Sequence, residues 1–162
     1  MIDMLDIKKT DTVLDVGCGY GRSLPYLASS SKKVIGIDIS HQMIEEAKKI
    51  THSHNNIILQ VAESESMDLD DNLIDKIICF AAFDAMHQNK ALVEFNRVCK
   101  IGGKLLVTGK NNYFMRDDKE AKLAELGARQ KNHPNFFTDV SLLIESLHLF
   151  GFELEFEEYY VR

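Results

Sequence analysis

Three glycines at alternate positions follow an apolar run near the start of the chain. The run covers residues 12–16, and the glycines are Gly17, Gly19 and Gly21. Glycine adopts backbone angles that other residues avoid, and its missing side chain lets a ligand lie against the main chain. In an open parallel sheet, ligands bind where a strand runs into such a turn. We interpret this turn as a ligand-binding loop, in preference to a tight turn that holds no ligand.

Two further positions narrow the class of ligand. A dinucleotide-binding fingerprint has glycine at its first, third and sixth positions, but the sixth position counted from Gly17 is Arg22. A P-loop is also excluded, because no Gly-Lys-Ser or Gly-Lys-Thr follows. Asp38 ends a second apolar run and is followed by Ser40. Such a carboxylate can accept hydrogen bonds from both hydroxyls of a ribose or cap the next helix, and the preceding glycine turn favours the ribose.

The run Leu-Asp-Val-Gly-Cys-Gly-Tyr-Gly at residues 14–21, followed by the acid at position 38, resembles the class I S-adenosylmethionine-dependent methyltransferases. The similarity extends over residues 12–160. It includes residues 97–107, where Ile101 replaces the proline that is usual in the family. The resemblance implies a domain that binds S-adenosylmethionine as its cofactor and methylates a small molecule.

The resemblance also implies which residues bind the cofactor. The first strand's acid and the glycine loop border its methionine part, and the acid after the second strand holds the ribose. The residue after that acid packs against the adenine, an acid after the third strand contacts the adenine amino group, and the next residue's backbone lies beside the ring. The end of the fourth strand lies near the sulfur. By position these residues are Asp15, Gly17, Cys18, Gly19, Gly21, Asp38, Ile39, Glu63, Ser64 and Phe80.

Candidate catalytic residues follow the fourth apolar run. A general base is useful if the acceptor is a hydroxyl, since proton removal typically accelerates a reaction by about 10²–10⁴-fold. His87 and Asp84 occupy this position, and His133 lies further along the chain. His87 has the best position for a catalytic base. The structural alternatives are a histidine that lines the pocket and an aspartate that caps the next helix.

Composition limits the partners. The net charge is -6 and the lysines and arginines are scattered, which argues against a nucleic-acid partner. Nucleic-acid and protein amide methyltransferases often carry an Asn/Asp-Pro-Pro-Tyr motif after the fourth strand, and this sequence has none there. The resemblance therefore favours a small-molecule acceptor such as a sugar or a hydroxylated metabolite. No apolar run reaches the roughly 18 residues of a membrane span, so we expect a cytoplasmic protein without a membrane partner. The separated Cys18, Cys79 and Cys99 suggest neither a disulfide nor a metal site.

These residues require a framework of alternating strands and helices. The pattern predicts an α/β fold, a Rossmann-like three-layer sandwich whose mostly parallel sheet carries helices on both faces, in one domain over residues 1–162. The family's last antiparallel strand is not found, and the open sheet edge favours a homodimer. Strands are predicted at residues 12–16, 33–37, 56–61, 74–80, 104–108 and 152–160, and helices from about 22 and at 40–50, 91–99, 117–130 and 138–149.

Two alternative functions are compatible with parts of this pattern. A non-catalytic S-adenosylmethionine-binding module, such as one subunit of a heteromeric methyltransferase, needs the cofactor residues but no acceptor pocket. A nicotinamide-dependent oxidoreductase is disfavoured by Arg22 at the sixth fingerprint position.

Overall fold

Five parallel strands form the central sheet of the computed structural model, which describes residues 2–112, 119, 120, 123, 126, 127 and 137–158. The strands lie in the order β3-β2-β1-β4-β5, and every neighbouring pair is parallel. The predicted α/β fold is therefore confirmed. The winding direction reverses between β1 and β4, where open sheets bind their ligands. The strands are β1 (Thr12–Val16), β2 (Lys33–Asp38), β3 (Ile57–Val61), β4 (Ile74–Cys79) and β5 (Cys99–Val107).

The central strands are apolar because both faces of the sheet are covered. In β1, the side chains of Val13, Leu14 and Val16 are fully buried. Asp15 is the polar exception in this strand, and only 1% of its surface is exposed. A carboxyl group in such surroundings needs a hydrogen-bond donor.

Helices cover both faces of the sheet. Residues of α1 and α2 pack on one face, and residues of α3 and α4 pack on the other. Ser40 begins α2 as predicted, and its hydroxyl accepts the N–H of Met43 at 3.3 Å. None of the helices in the described part of the chain is long and apolar enough to cross a membrane. The helices are α1 (Leu24–Ser30), α2 (His41–Thr51), α3 (Gln88–Val98) and α4 (Val140–Ser146), with 3₁₀ turns at Ile2–Leu5, Phe83–Ala85 and Leu147–Phe150.

The boundary between α3 and β5 differs from the prediction. The sequence predicts a helix at residues 91–99 that is stopped by Gly102 and Gly103, but α3 ends at Val98 and both glycines lie inside β5. Cys99 already pairs with Ile74 of β4, so the chain enters the sheet directly after the helix. A Cβ at Gly103 would lie 2.6 Å from the sulfur of Cys99. This glycine therefore allows close packing within the strand and does not terminate the helix.

The predicted sixth strand is wrong over residues 152–158, which form no strand, while residues 159 and 160 lie outside the described residues. The alternating Phe152, Leu154 and Phe156 are typical of a strand with one buried face. Instead, Phe152 packs on the face that carries α3, and Phe156 packs on the face that carries α1. The segment therefore crosses the outer edge of β5 from one face to the other. A chain that crosses an edge in this way builds no ladder of backbone hydrogen bonds along it.

The chain leaves the sheet after β5 and returns through a hydrogen-bonded neck, formed by residues 110–112 and 138–140. Asn112 N–H donates to the Thr138 carbonyl, and Thr138 N–H donates to the Lys110 carbonyl, both at 2.9 Å. The Thr138 hydroxyl accepts a bond of 3.1 Å from the Gln88 amide, which ties the neck to α3. The predicted helix at residues 117–130 lies largely outside the described residues, as does His133.

Arg97 fastens the loop after β3 to α3. Its guanidinium donates to the carbonyls of Leu69 at 2.7 Å and Met67 at 3.0 Å, and it pairs with Glu94 and Asp71. Glu94 also accepts the Met67 N–H at 2.6 Å. The hydrogen bonds from Arg97 hold the pKa of Glu94 below its usual value. Glu94 and Arg97 also line a groove of about 440 Å³ between the loop and α3. Because the two side chains bond to each other and to the loop, we assign them a structural role.

We expect Arg97→Ala to lower the free energy of unfolding by about 2 kcal/mol, because it removes charge-assisted bonds and leaves Glu94 without its cation. Urea unfolding measures this change. Lys48→Ala is a matched control, since Lys48 forms an exposed i,i+3 ion pair with Glu45 on α2 and should change stability by less than about 0.5 kcal/mol. Equal effects of the two substitutions would contradict the role of Arg97.

Candidate functional site

The glycine loop, residues 17–21, follows β1 at the carboxyl edge of the sheet. Gly17, Gly19 and Gly21 have φ angles of +70°, +54° and +87°, which favour glycine. A Cβ at Gly17 would lie 2.6 Å from the Cβ of Ala82, so Gly17 packs against the chain that follows β4. A Cβ at Gly19 would meet no atom within 4 Å. Gly17 is therefore tightly packed against the protein, whereas Gly19 borders open space.

Asp38, at the end of β2, is bonded to this loop. One carboxylate oxygen accepts the N–H of Gly19, and the other accepts the N–H of Ser40, both at 2.9 Å. A carboxylate oxygen has two lone-pair sites, so each oxygen can still accept a hydroxyl. Asp38 therefore orders the glycine loop and retains acceptors for a ligand. The next residue, Ile39, is 71% exposed and presents an apolar side chain beside it.

Asp15 lies in β1, two residues before the glycine loop, and its carboxylate accepts a hydrogen bond from the hydroxyl of Ser23. Burial raises the pKa of Asp15 to about 6, and the negative charge of Asp38 acts in the same direction, while the Ser23 hydroxyl opposes them. Cys18 is buried in the glycine loop, and burial raises the pKa of its thiol. Cys18 is therefore a neutral packing residue at physiological pH and has no nucleophilic character.

We expect Asp15→Asn to stabilise the protein at pH 7.5 and to have no such effect near pH 4. The folded-state pKa of about 6 exceeds the ordinary value of 3.8, so the fold penalises the ionised form above pH 6, and the penalty disappears as the pH falls toward 4. The two values limit the gain to about 3 kcal/mol. Thermal unfolding at both pH values measures it, with Asp70→Asn as an exposed control. A less stable Asn variant at pH 7.5 would show that the buried charge is not penalised.

The chain after β3 contributes the next part of the edge. Glu63 is exposed and forms a β-bridge with Ser66, whereas Ser64 is buried. The Ser64 hydroxyl donates to Glu65 at 2.7 Å, and the other Glu65 oxygen accepts the backbone N–H of His87 at 2.8 Å. Burial acts to raise the pKa of Glu65, but these bonds outweigh it and the pKa lies below its usual value. Glu65 therefore connects the chain after β3 to the start of α3.

The chain after β4 is held in an unusual conformation. Ala81 has a φ of +55°, which is strained for a residue with a side chain. Its N–H donates to the Thr108 hydroxyl at 2.8 Å, and Thr108 N–H donates to the Cys79 carbonyl at 2.9 Å. The two bonds from the end of β5 fix the turn at the exit of β4. Phe80, just before the strained residue, is 45% exposed at this edge.

The two candidate bases occupy different surroundings. His87 is exposed at the start of α3, and its ring makes no capping bond. Asp84 is buried, with one oxygen 3.3 Å from Lys110 N–H and the other 3.8 Å from the Lys110 ammonium. The alternative that Asp84 caps α3 is wrong, because its carboxylate faces the neck. Of the two side chains, the imidazole of His87 is exposed and the carboxylate of Asp84 is buried.

The structure thus collects the predicted site residues along one edge, at the ends of β1, β2, β3 and β4. Sequence reasoning missed Ser23, Glu65 and Thr108, whose side chains bond to site residues from outside the motifs. For Ser23, the available sequence signal was its position two residues after the last of the three glycines. The open space at Gly19 and the remaining acceptors of Asp38 fit a nucleoside ligand laid against the loop, with apolar Ile39 beside it.

The parallel sheet, whose strand order reverses between β1 and β4 beside the candidate site, defines a Rossmann-like domain. A family model described as a methyltransferase domain matches residues 14–107, more than half of the chain. The chain belongs to this methyltransferase domain family, which confirms the resemblance to class I S-adenosylmethionine-dependent methyltransferases. S-adenosylmethionine is accordingly the cofactor, and the nicotinamide alternative is set aside.

Curated relatives include methyltransferases of different acceptors. The chain is 35% identical over 112 residues to phosphoethanolamine N-methyltransferase 3 of Arabidopsis thaliana, which covers 66% of this chain and 22% of that protein. It is 33% identical over 106 residues to demethylmenaquinone methyltransferase of Staphylococcus aureus, covering 63% of this chain and 44% of that protein. The chain therefore spans less than half the length of these relatives.

Solved structures show the same fold. A SAM-dependent methyltransferase from Aquifex aeolicus matches with a TM-score of 0.58 and 31% identity, covering 61% of this chain and 56% of that one. A putative methyltransferase from Bacillus halodurans matches with a TM-score of 0.79 and 23% identity, covering 95% and 68%. The second likeness supports the fold alone.

Proposed function

We propose that this chain transfers the methyl group of S-adenosylmethionine to a small-molecule acceptor. The observation that carries the proposal is the junction of Gly19 and Asp38, where an open backbone surface meets a preordered carboxylate. The acidic net charge of -6 supports a small acceptor over a nucleic acid.

Each part of the edge has a proposed role toward the cofactor. Asp38 accepts the ribose hydroxyls through its free lone pairs, and Asp15 with the glycine loop borders the methionine part. Ile39 packs against the adenine, Glu63 contacts the adenine amino group, and the backbone of Ser64 lies beside the ring. The supporting observations are the bonds of Asp38, the burial of Ser64 and the exposure of Ile39. Phe80 lies near the sulfur end, at the exit of β4.

When bound, the cofactor supplies a methyl group on a positively charged sulfur, so the protein need not provide a nucleophile. The residues of this chain hold the reactants in line, and orientation alone lowers a barrier by several kcal/mol. The bonds from Thr108 keep Ala81 and Phe80 in place for this purpose. If the acceptor carries a proton on the attacked atom, the exposed imidazole of His87 is the proposed base. Asp84 then supports the neck through Lys110.

We propose a broader class of acceptor than sugar hydroxyls alone. One relative is named as an N-methyltransferase of phosphoethanolamine and another as a demethylmenaquinone methyltransferase. The shared chemistry is a small acceptor with a nitrogen, carbon or oxygen nucleophile. Screening with radiolabelled S-adenosylmethionine against amines, quinols and hydroxylated metabolites distinguishes these three classes.

The first test is calorimetric titration with S-adenosylmethionine and S-adenosylhomocysteine, with NADH as the control. Binding of the first two without the third supports the proposal. A folded sample that binds none of them contradicts it. Binding without any methyl transfer across the acceptor panel favours the non-catalytic module.

We expect His87→Gln to lower turnover by about 100-fold with a hydroxyl acceptor, at the lower end of the usual contribution of a general base. The Kd for S-adenosylhomocysteine should stay unchanged, because the substitution leaves the backbone N–H that bonds to Glu65. His41→Gln, on the exposed start of α2, is the matched control. Turnover that survives His87→Gln would remove the imidazole from the reaction.

A further inference from the structure

Ser23 stands at the N-terminus of α1, yet its hydroxyl does not cap the helix. A serine in this position ordinarily accepts an N–H from two or three residues further on. Here Ser23 has helical angles of φ -77° and ψ -29°, and its side chain makes no capping bond. The hydroxyl donates instead to Asp15, near the carboxyl end of β1. The residue therefore gives up a stabilising role in its own helix for a contact with the buried carboxylate.

The surroundings of Asp15 make this contact important. Asp38 on β2 brings a second negative charge, and the thiols of Cys18 in the loop and Cys79 on β4 are buried and neutral. Arg22 is exposed and stacks on Tyr20, with its guanidinium carbon 5.9 Å from the ring centre. Within the described residues, the Ser23 hydroxyl is the side-chain donor bonded to Asp15. Without it, a buried carboxylate beside a like charge takes up a proton more readily.

We propose that Ser23 is a positioning residue that keeps the Asp15 carboxylate ionised and oriented toward the cationic amino group of the bound cofactor. The inference rests on the proposed function, since it assigns the partner of Asp15. It adds a residue outside the glycine motif that sets the pH range of cofactor binding. An ionised Asp15 attracts the amino group, whereas a protonated Asp15 does so only weakly.

The test compares Ser23→Ala with Ser23→Thr, which restores a hydroxyl, by calorimetry with S-adenosylhomocysteine at pH 6 and pH 8.5. We expect Ser23→Ala to bind S-adenosylhomocysteine several-fold more weakly than the wild-type protein at pH 6 and equally well at pH 8.5. Ser23→Thr should follow the unchanged protein at both values. Ser29→Ala is the matched control, because Ser29 lies on the same helix and its hydroxyl donates to the Tyr26 carbonyl rather than to Asp15.

A second measurement separates this inference from the proposed function. The carbon-13 signal of the Asp15 carboxyl reports its titration without any ligand, and its midpoint should move to higher pH in Ser23→Ala. An unchanged midpoint, or equal affinity of both proteins at pH 6, overturns the role of Ser23. If the unchanged protein binds no S-adenosylhomocysteine while the midpoint moves, the proposed function fails and the contact between Ser23 and Asp15 stands.

Discussion

Gly19→Ala is expected to weaken S-adenosylmethionine binding by about 100-fold or more while the protein stays folded. The added Cβ meets no protein atom within 4 Å, so the interior is not disturbed. Its backbone φ of +54° makes alanine unfavourable by about 1–2 kcal/mol. The methyl group would occupy the open space beside the loop, where the proposed ligand lies against the main chain. Calorimetry and thermal unfolding of the same sample measure the two effects.

Gly17→Ala is the matched comparison two residues earlier. Its Cβ would lie 2.6 Å from the Cβ of Ala82, and neither group can move away without displacing the turn after β4. We expect a loss of stability of about 3 kcal/mol or more, as for other severe overpacking. If Gly19→Ala bound the cofactor normally, the ligand would not lie on this loop. If Gly17→Ala were as stable as Gly19→Ala, the contact with Ala82 would not hold the turn.

Asp38→Ala should weaken cofactor binding by about 1.5–3 kcal/mol, or roughly 10- to 150-fold in Kd, the scale of a lost charged hydrogen bond. Two causes combine in this substitution. The acceptors for the ribose disappear, and the N–H groups of Gly19 and Ser40 lose the carboxylate that orders them. Titration with S-adenosylhomocysteine measures the change.

Asp38→Asn keeps the size of the side chain and tests whether both carboxylate oxygens are needed as acceptors. An amide has one oxygen and one NH₂ group, so in either orientation its NH₂ would face the N–H of Gly19 or Ser40. We expect it to bind nearly as weakly as Asp38→Ala. Glu46→Ala, on the exposed side of α2 and paired with Lys49, should leave binding unchanged. Unaltered affinity of a folded Asp38→Ala protein would refute the ribose role.

The most predictable parts of the molecule are those whose signals are contiguous along the chain. The apolar run of β1, the three glycines and the acid at the end of β2 are each encoded within a few residues, and the parallel order of the strands brings them together. The same reasoning failed for residues 152–158. Alternation specifies which side chains share a face, but a strand also needs a partner along its whole length, and this segment crosses the edge of β5.

The supporting residues could not be predicted for a related reason. Thr108 reaches Ala81 from 27 positions away, and Glu65 reaches His87 from 22 positions away. Their roles depend on the direction of one side-chain bond in the folded protein. Ser23 shows the same limit at short range, since its position indicates a helix cap and its hydroxyl serves Asp15. The sequence therefore identifies the glycine loop more readily than the separate side chains that support this edge of the sheet.

The neck at residues 110–112 and 138–140 makes the chain modular at this point. Backbone hydrogen bonds join its two sides, and Gln88 anchors them to α3, so the two ends of the intervening segment are held close together beside the sheet. Closing a loop becomes less favourable by only about 0.6 kcal/mol for each doubling of its length. The number of residues between the two sides of the neck can therefore change at little cost in the free energy of folding.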